Sequence, residues 1–75
     1  MNKHPHQIRF GQALSSHRKK QGLSQEQLAF NSGLDRSYIG GVERGERNIS
    51  LINMYKLADA LQIKVADFFT DADND

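Results

Sequence analysis

The sequence contains no cysteine, no tryptophan and a single proline among its 75 residues. Without cysteine the chain has neither disulfides nor thiolate metal ligands, so packing or oligomerisation must stabilise it. No apolar run approaches the ~20 residues that a membrane-spanning helix requires, and the N-terminus MNKHPHQIRF lacks the apolar core of a signal peptide. A chain of this length has room for one small domain and not for an enzyme with a roomy cleft. These absences predict a cytoplasmic binding module, with residues 1–75 forming one domain.

The net charge is only +1, but the charges are distributed unevenly along the chain. Residues 1–48 carry eight basic and four acidic side chains, whereas residues 49–75 carry two basic and five acidic ones. Such asymmetry is expected of a basic contact face backed by an acidic surface, although a short chain also shows it by chance. Charge alone therefore leaves the partner open.

The apolar pattern is helical throughout, because no segment alternates apolar and polar residues as a half-buried strand would. Ser24 with Gln27, Asp35 and Ser50 are typical helix caps, since their side chains accept hydrogen bonds from free backbone N–H groups. The ends of the chain, about residues 1–6 and 71–75, are expected to fray. The pattern predicts five short helices, over residues 7–20, 25–31, 36–44, 51–61 and 65–70.

The second and third helices have the features of a helix–turn–helix. Ala29 supplies the small residue that two steeply crossed helices need at their contact, and Gly33 supplies a positive φ in the turn four positions later. Apolar residues stand where both helices would reach a common core, at Leu28, Leu34, Ile39 and Val42.

The fourth helix has two apolar faces. One is expected to fill the core and carries Leu51, Met54, Leu57, Ala58 and Leu61. The neighbouring face carries Ile52 and Tyr55, which together with Phe69 are predicted to form a dimer interface. The alternative is that these three side chains pack within the chain against the fifth helix.

The segments GLSQEQLA, SGLDRSYIGGVERGERN and LADALQI resemble the Cro/phage-repressor type of helix–turn–helix domain, over roughly residues 8–69. Within that family, LDRSYIGGVERGERN is most similar to the controller proteins of restriction–modification systems, which are dimeric autoregulators. The resemblance implies an all-α, lambda-repressor-like bundle of five short helices. It also implies a homodimer that binds double-stranded DNA at an inverted-repeat operator and regulates transcription.

In this family the N-terminal side chains of the third helix enter the major groove. Arg36 is predicted to contact a base, because a guanidinium can donate two hydrogen bonds to O6 and N7 of guanine. Ser37 is predicted to donate to a base edge or a phosphate, and the resemblance implies that Arg47 reaches bases from the following loop. The alternatives are a phosphate contact or surface ion pair for Arg36, and solvent exposure for the other two.

Contacts to the DNA backbone are predicted for a second set of side chains. Gln25 lies in the first turn of the second helix, where its amide and the free N–H groups can meet a phosphate. Tyr38 can donate its hydroxyl to a phosphate, or it can be a partly buried structural residue. The resemblance places the loop after the third helix along the backbone. The full set is Ser24, Gln25, Tyr38, Arg44 and Asn48.

Four further residues have structural interpretations. The resemblance implies that Arg18 and Glu43 form an ion pair that ties the first helix to the end of the third. Gly40 and Gly41 each cost about 1 kcal/mol inside a helix, so we expect them to permit close approach to the second helix or to the groove. Gly40 departs from the family, in which a small polar residue is commoner.

Rival functions lack their motifs. The three histidines form no metal-ligand spacing, and Asp71, Asp73 and Asp75 match only the opening of a calcium loop. There is no nucleophile elbow and no phosphate-binding loop. The sequence therefore predicts no enzyme, no cofactor, no metal and no small-molecule effector. The remaining alternative is an antitoxin-type interaction module that holds a toxin and autoregulates its operon.

Overall fold

The structure is a computed structural model, which describes residues 3–70. The predicted tail at 71–75, with its three aspartates, lies outside the described residues. Within them there are four α-helices, one 3-10 helix and no strand, which confirms the all-α fold. The elements are α1 (Pro5–Lys20), α2 (Gln25–Ser32), α3 (Arg36–Glu43), α4 (Leu51–Leu61) and the 3-10 helix Val65–Phe69. The fifth predicted helix is thus a 3-10 helix, and it is one residue shorter than expected.

Helix α1 begins at Pro5, two residues before its predicted start. Proline suits a first helical position, because its φ is already helical and its missing N–H would have no partner there. The Nδ1 atom of His4 accepts a hydrogen bond from the His6 N–H at 3.1 Å and so caps the helix. Residues 5 and 6, which were expected to fray, are therefore helical.

Local hydrogen bonds hold the helix–turn–helix as the sequence predicts. Ser24 Oγ accepts from the Gln27 N–H at 3.0 Å, and Gln27 Oε1 accepts from the Ser24 N–H at 2.8 Å. At the other end of α2, Gly33 has a φ of 75°, the left-handed conformation that lets the chain turn into α3. Asp35 caps α3 by accepting from the Ser37 N–H at 3.1 Å.

The core lies between the helices and is built from apolar side chains of every element. Leu34 packs at its edge and is only partly buried. Helix α1 crosses α3 so closely that a Cβ at Gly11 would lie 2.3 Å from the Val42 carbonyl oxygen. The buried apolar residues are Phe10, Leu14, Leu28, Ile39, Val42, Leu57, Ala58, Leu61 and Phe68.

The expectation that Leu51 fills the core is wrong, because its side chain is 64% exposed. Helical periodicity predicts which direction a side chain points, but not how far along the axis the core extends. Leu51 is the first residue of α4, and Ala58, about two turns further along the same face, is buried. The first turn of α4 therefore presents apolar surface to solvent.

No helix among residues 3–70 is long and apolar enough to cross a membrane.

Candidate nucleic-acid interface

A buried ion pair joins α1 to the end of α3 and also reaches α2. Arg18 donates from Nε to Glu43 Oε2 at 2.7 Å and from Nη2 to Oε1 at 3.0 Å, with side chains only 10% and 7% exposed. Gln25 Nε2 donates to the same Oε1 at 2.9 Å. The Arg18 Nη1 atom donates to the Leu23 carbonyl at 2.7 Å, so the guanidinium also holds the segment before α2. This network fixes how α1, α2 and α3 meet.

The environment of Glu43 favours its charged form. Burial acts to raise the pKa of the Glu43 carboxyl, but the hydrogen bonds from Arg18 and Gln25 and the charge of Arg18 outweigh it. The pKa of Glu43 therefore lies below its ordinary value. Because a carboxylate only accepts hydrogen bonds, it orients Gln25 with its amide NH₂ group towards Glu43. The second amide hydrogen of that group remains available to an acceptor.

Arg36 lies at the start of α3 with its side chain largely exposed. Its Nε atom is 3.5 Å from Glu26 Oε2 on α2, and the two side chains are 54% and 70% exposed. The surface ion pair that was the alternative interpretation therefore exists in the free chain. Exposed pairs of this kind are weak, so it leaves the guanidinium able to exchange Glu26 for another acceptor. The base contact of Arg36 stays a prediction.

The Ser37 hydroxyl is engaged locally. It donates to Asp35 Oδ2, the same oxygen that accepts the Ser37 N–H. These two hydrogen bonds hold the pKa of Asp35 below its ordinary value although the carboxylate is exposed, and the one from the Ser37 hydroxyl has the larger effect. To donate a hydrogen bond to DNA, the Ser37 hydroxyl must break its hydrogen bond with Asp35. It can keep that hydrogen bond only if its oxygen accepts one from DNA instead. Ser24 is likewise exposed, with its hydroxyl oxygen already accepting from Gln27.

Tyr38 is a partly buried residue, and its contact with a phosphate stays a prediction. Its ring is half-buried against the core, and its hydroxyl accepts from Asn53 Nδ2 at 3.1 Å. The hydroxyl hydrogen remains free to be donated. The guanidinium carbon of Arg47 lies 5.5 Å from the ring centroid, in cation–π range. Asn53 was not identified from the sequence, since an asparagine in the first turn of a helix has no signal that points to a tyrosine fifteen positions earlier.

The loop after α3 brings further polar groups to the same end of that helix. Arg44 Nε lies 3.1 Å from Glu46 Oε1, while Arg47 and Asn48 are exposed. Lys3 Nζ donates to the Arg44 carbonyl at 2.9 Å, a contact that sequence reasoning missed because 41 positions separate the two residues. The loop therefore presents exposed arginines, and both a neighbouring glutamate and the N-terminal segment contact it.

The predicted dimer residues lie on the surface. Ile52, Tyr55 and Phe69 are 68%, 54% and 61% exposed, so packing within the single chain leaves more than half of each uncovered. The Phe69 ring does contact Phe10, with centroids 5.8 Å apart. Whether these residues form an interface stays a prediction.

No group of three side chains suited to hold a metal ion occurs within residues 3–70. Two of the described histidines have structural contacts: His4 caps α1, and His17 lies against the 3-10 helix. The Nε2 atom of His17 lies 3.2 Å from the Asp67 carbonyl oxygen and its ring meets Phe68 edge-on. It joins α1 to the 3-10 helix.

Comparison with known proteins agrees with this arrangement. A family model described as Helix-turn-helix matches residues 14–68. Control protein C.MunI from Mycoplasma sp is 42% identical over 69 residues, which cover 91% of this chain and 93% of that protein. The controller protein C.AhdI from Aeromonas hydrophila has a crystal structure 57% identical in sequence, with a TM-score of 0.86 over 88% of this chain and 100% of that one.

A third protein has been solved with DNA. The restriction-modification controller protein C.Esp1396I, crystallised as a tetramer with its natural 35 base-pair operator, is 30% identical, with a TM-score of 0.83 over 89% of this chain and 88% of that one. The helices, their capped turn and the buried Arg18–Glu43 pair thus lie in a fold that these controller proteins share. The chain belongs to the helix–turn–helix family of the Cro/phage-repressor type.

Proposed function

We propose that this chain is a sequence-specific transcriptional regulator that binds double-stranded DNA as a homodimer on an inverted-repeat operator. The observation that carries the proposal is the capped α2–turn–α3 unit, whose second helix and following loop expose Arg36, Arg44 and Arg47. Arginine donates to both phosphates and guanine, so three exposed arginines on one short segment suit DNA. The operator complex of C.Esp1396I supports the same use of the fold.

Within this proposal two groups of side chains have different tasks. Arg36, Ser37 and Arg47 contact bases, because their exposed side chains lie at the start of α3 and in the loop that follows it. The contacts to sugar and phosphate position the protein and carry no base preference. They come from Ser24, Gln25, Tyr38, Arg44 and Asn48.

The homodimer interface is proposed to include Ile52, Tyr55 and Phe69. A single copy makes few phosphate contacts, whereas two copies on half-sites about one helical turn (~34 Å) apart would combine them. Exposed apolar side chains on α4 offer the surface that such pairing would cover.

The relatives favour a controller of a restriction–modification system. We propose that this chain regulates its own synthesis and acts in the cytoplasm. The chain would act by binding as a single domain, without a catalytic step, a cofactor or a small-molecule effector. Its occupancy of the operator would then depend on its own concentration. The antitoxin alternative has no observation in its favour.

The test is selection from random duplex DNA, with the bound complex sized in the same experiment. We expect an inverted repeat bound by two copies, or by a multiple of two. A charge-matched pair of variants assigns the binding face, since Arg44→Ala should weaken binding and Lys64→Ala, before the 3-10 helix, should not. Failure to enrich any duplex, with binding lost at physiological salt, would contradict the proposal and favour a protein partner.

A further inference from the structure

Two consecutive glycines lie inside α3, and both are buried. Glycine is among the poorest helix-forming residues, so a pair of them in an eight-residue helix weakens it. Neither has a positive φ within the described chain, so backbone conformation does not require glycine at either position. The reason for Gly40 and Gly41 must be sought in the space that a side chain would occupy.

Around Gly40 that space is occupied by Arg44. A Cβ at Gly40 would lie 3.1 Å from Nη1 of Arg44 and 3.6 Å from Oε1 of Gln25. The guanidinium of Arg44 therefore points back along α3 and lies over Gly40, one helical turn towards the N-terminus. Its Nε atom lies 3.1 Å from Oε1 of Glu46.

Around Gly41 the space is occupied by Arg47. A Cβ there would lie 3.0 Å from Cγ and 3.4 Å from Nε of Arg47. The same side chain ends over the ring of Tyr38, with 5.5 Å from its guanidinium carbon to the ring centroid. Arg47 thus lies against α3 between Gly41 and Tyr38, although it belongs to the loop.

We propose that Gly41 is a specificity-determining position and that Gly40 supports binding to DNA of any sequence, because their missing side chains let Arg47 and Arg44 lie in set places against α3 before DNA arrives. This inference rests on the proposed DNA-binding function. An ordered arginine loses less rotamer freedom on binding than a free one, so the arrangement favours one DNA sequence and one register. The glycines act through the arginines and need not touch DNA.

The test uses Gly40→Ala and Gly41→Ala. Each adds one methyl group, and the atoms that it meets are side-chain atoms of exposed arginines and, at the ordinary contact distance of 3.6 Å, of Gln25, with no backbone atom among them. Both variants should therefore fold and be at least as stable as the parent chain. We expect Gly41→Ala to bind the selected operator about tenfold more weakly and to discriminate less among sequences. Gly40→Ala should bind about threefold more weakly to all sequences alike.

Double-mutant cycles separate this effect from a clash between the new methyl group and DNA. In an Arg47→Ala background, Gly41→Ala should have no further effect, and Gly40→Ala should have none in Arg44→Ala. The crossed pairs, Gly41→Ala with Arg44→Ala and Gly40→Ala with Arg47→Ala, are matched controls and should be additive. A loss that persists in the arginine-free backgrounds would overturn the inference.

A measurement without DNA keeps the two proposals distinguishable. In nuclear magnetic resonance spectra, the side-chain protons of Arg47 should show a ring-current shift from Tyr38 that Gly41→Ala removes. An unchanged shift would overturn the placement of Arg47. A parent chain that enriches no duplex overturns the proposed function, whereas operator binding that both alanine variants retain in full overturns this inference alone.

Discussion

At the scale of single residues, Glu43 is the side chain on which both the packing of the helices and the proposed DNA contact of Gln25 depend. Its carboxylate, on the last residue of α3, holds Arg18 of α1 and Gln25 of α2. Removing one member of a buried ion pair leaves the other charge buried without a counterion, and this lowers the free energy of unfolding strongly. Replacing both members by apolar residues has a much smaller effect on stability. The fold and the proposed phosphate contact of Gln25 therefore depend on the same carboxylate.

We expect Glu43→Gln to lower the free energy of unfolding by about 3 kcal/mol at neutral pH, because Arg18 remains buried without its counterion. Because the folded-state pKa of Glu43 lies below its ordinary value of 4.5, the unfolded state binds more protons as the pH falls past that value. The stability from Glu43 is present above about pH 4.5 and lost as the pH falls through the lower folded-state pKa. Urea unfolding from pH 7 to pH 3 measures both effects.

The matched control is Arg36→Ala, which breaks the exposed pair with Glu26 and should change stability by less than about 1 kcal/mol. The pKa of Asp35 is also lowered, so the parent chain and both variants should lose some further stability as the pH falls below 3.8, the ordinary value for that carboxyl. A Glu43→Gln chain with the same pH dependence as the parent would show that the Arg18–Glu43 pair is not the source.

A second prediction at this scale concerns DNA. Arg36→Ala should cost about 1–3 kcal/mol on the selected operator and relax the preference at one base pair, because a bidentate guanine contact would be lost. Gln25→Ala should instead weaken binding to all duplexes and reduce the salt slope by about one. Fluorescence anisotropy on a set of singly substituted operators measures both. A base-selective loss for Gln25→Ala would mean that the two roles are exchanged.

At the scale of elements, the contact of α1 with α3 depends on Gly11. A Cβ at this position would lie 2.3 Å from the Val42 carbonyl oxygen and 2.7 Å from that of Glu43. Both are backbone atoms, so the helices would have to move apart. Sequence reasoning missed Gly11, since one glycine inside a helical pattern does not reveal which neighbour approaches it.

We therefore expect Gly11→Ala to lower the free energy of unfolding by about 2 kcal/mol, although alanine is the better helix former. Gly40→Ala makes the same change inside α3, where only side-chain ends stand in the way, and should not destabilise the chain. Urea unfolding of the two variants side by side gives the comparison. Equal free energies of unfolding for the two variants would mean that α1 can move away from α3 without loss of stability.

At the scale of the whole molecule, exposed apolar side chains decide how copies associate. We expect Ile52→Glu to shift the chain from dimer to monomer without unfolding it, because Ile52 is 68% exposed whereas Leu57 on the same helix is fully buried. Phe30→Glu is the matched control, since Phe30 on α2 is 88% exposed and lies outside the proposed interface. Sedimentation velocity over a range of concentrations should show dissociation for the first variant only. Dissociation by Phe30→Glu alone would move the interface to α2.

The amino-acid order was enough to predict α2, its turn and the start of α3, because Ser24, Gly33 and Asp35 act on backbone groups within four residues of themselves. The core residues Leu28, Ile39 and Val42 followed from helical spacing. Other features required the fold. Leu51 is exposed because the core ends before the first turn of α4, and Gly11, Gly40 and Gly41 are explained by atoms of other segments or of the next helical turn. Periodicity and capping are local, whereas the end of the core, the Tyr38–Asn53 contact and the places of Arg44 and Arg47 depend on how separate segments pack together.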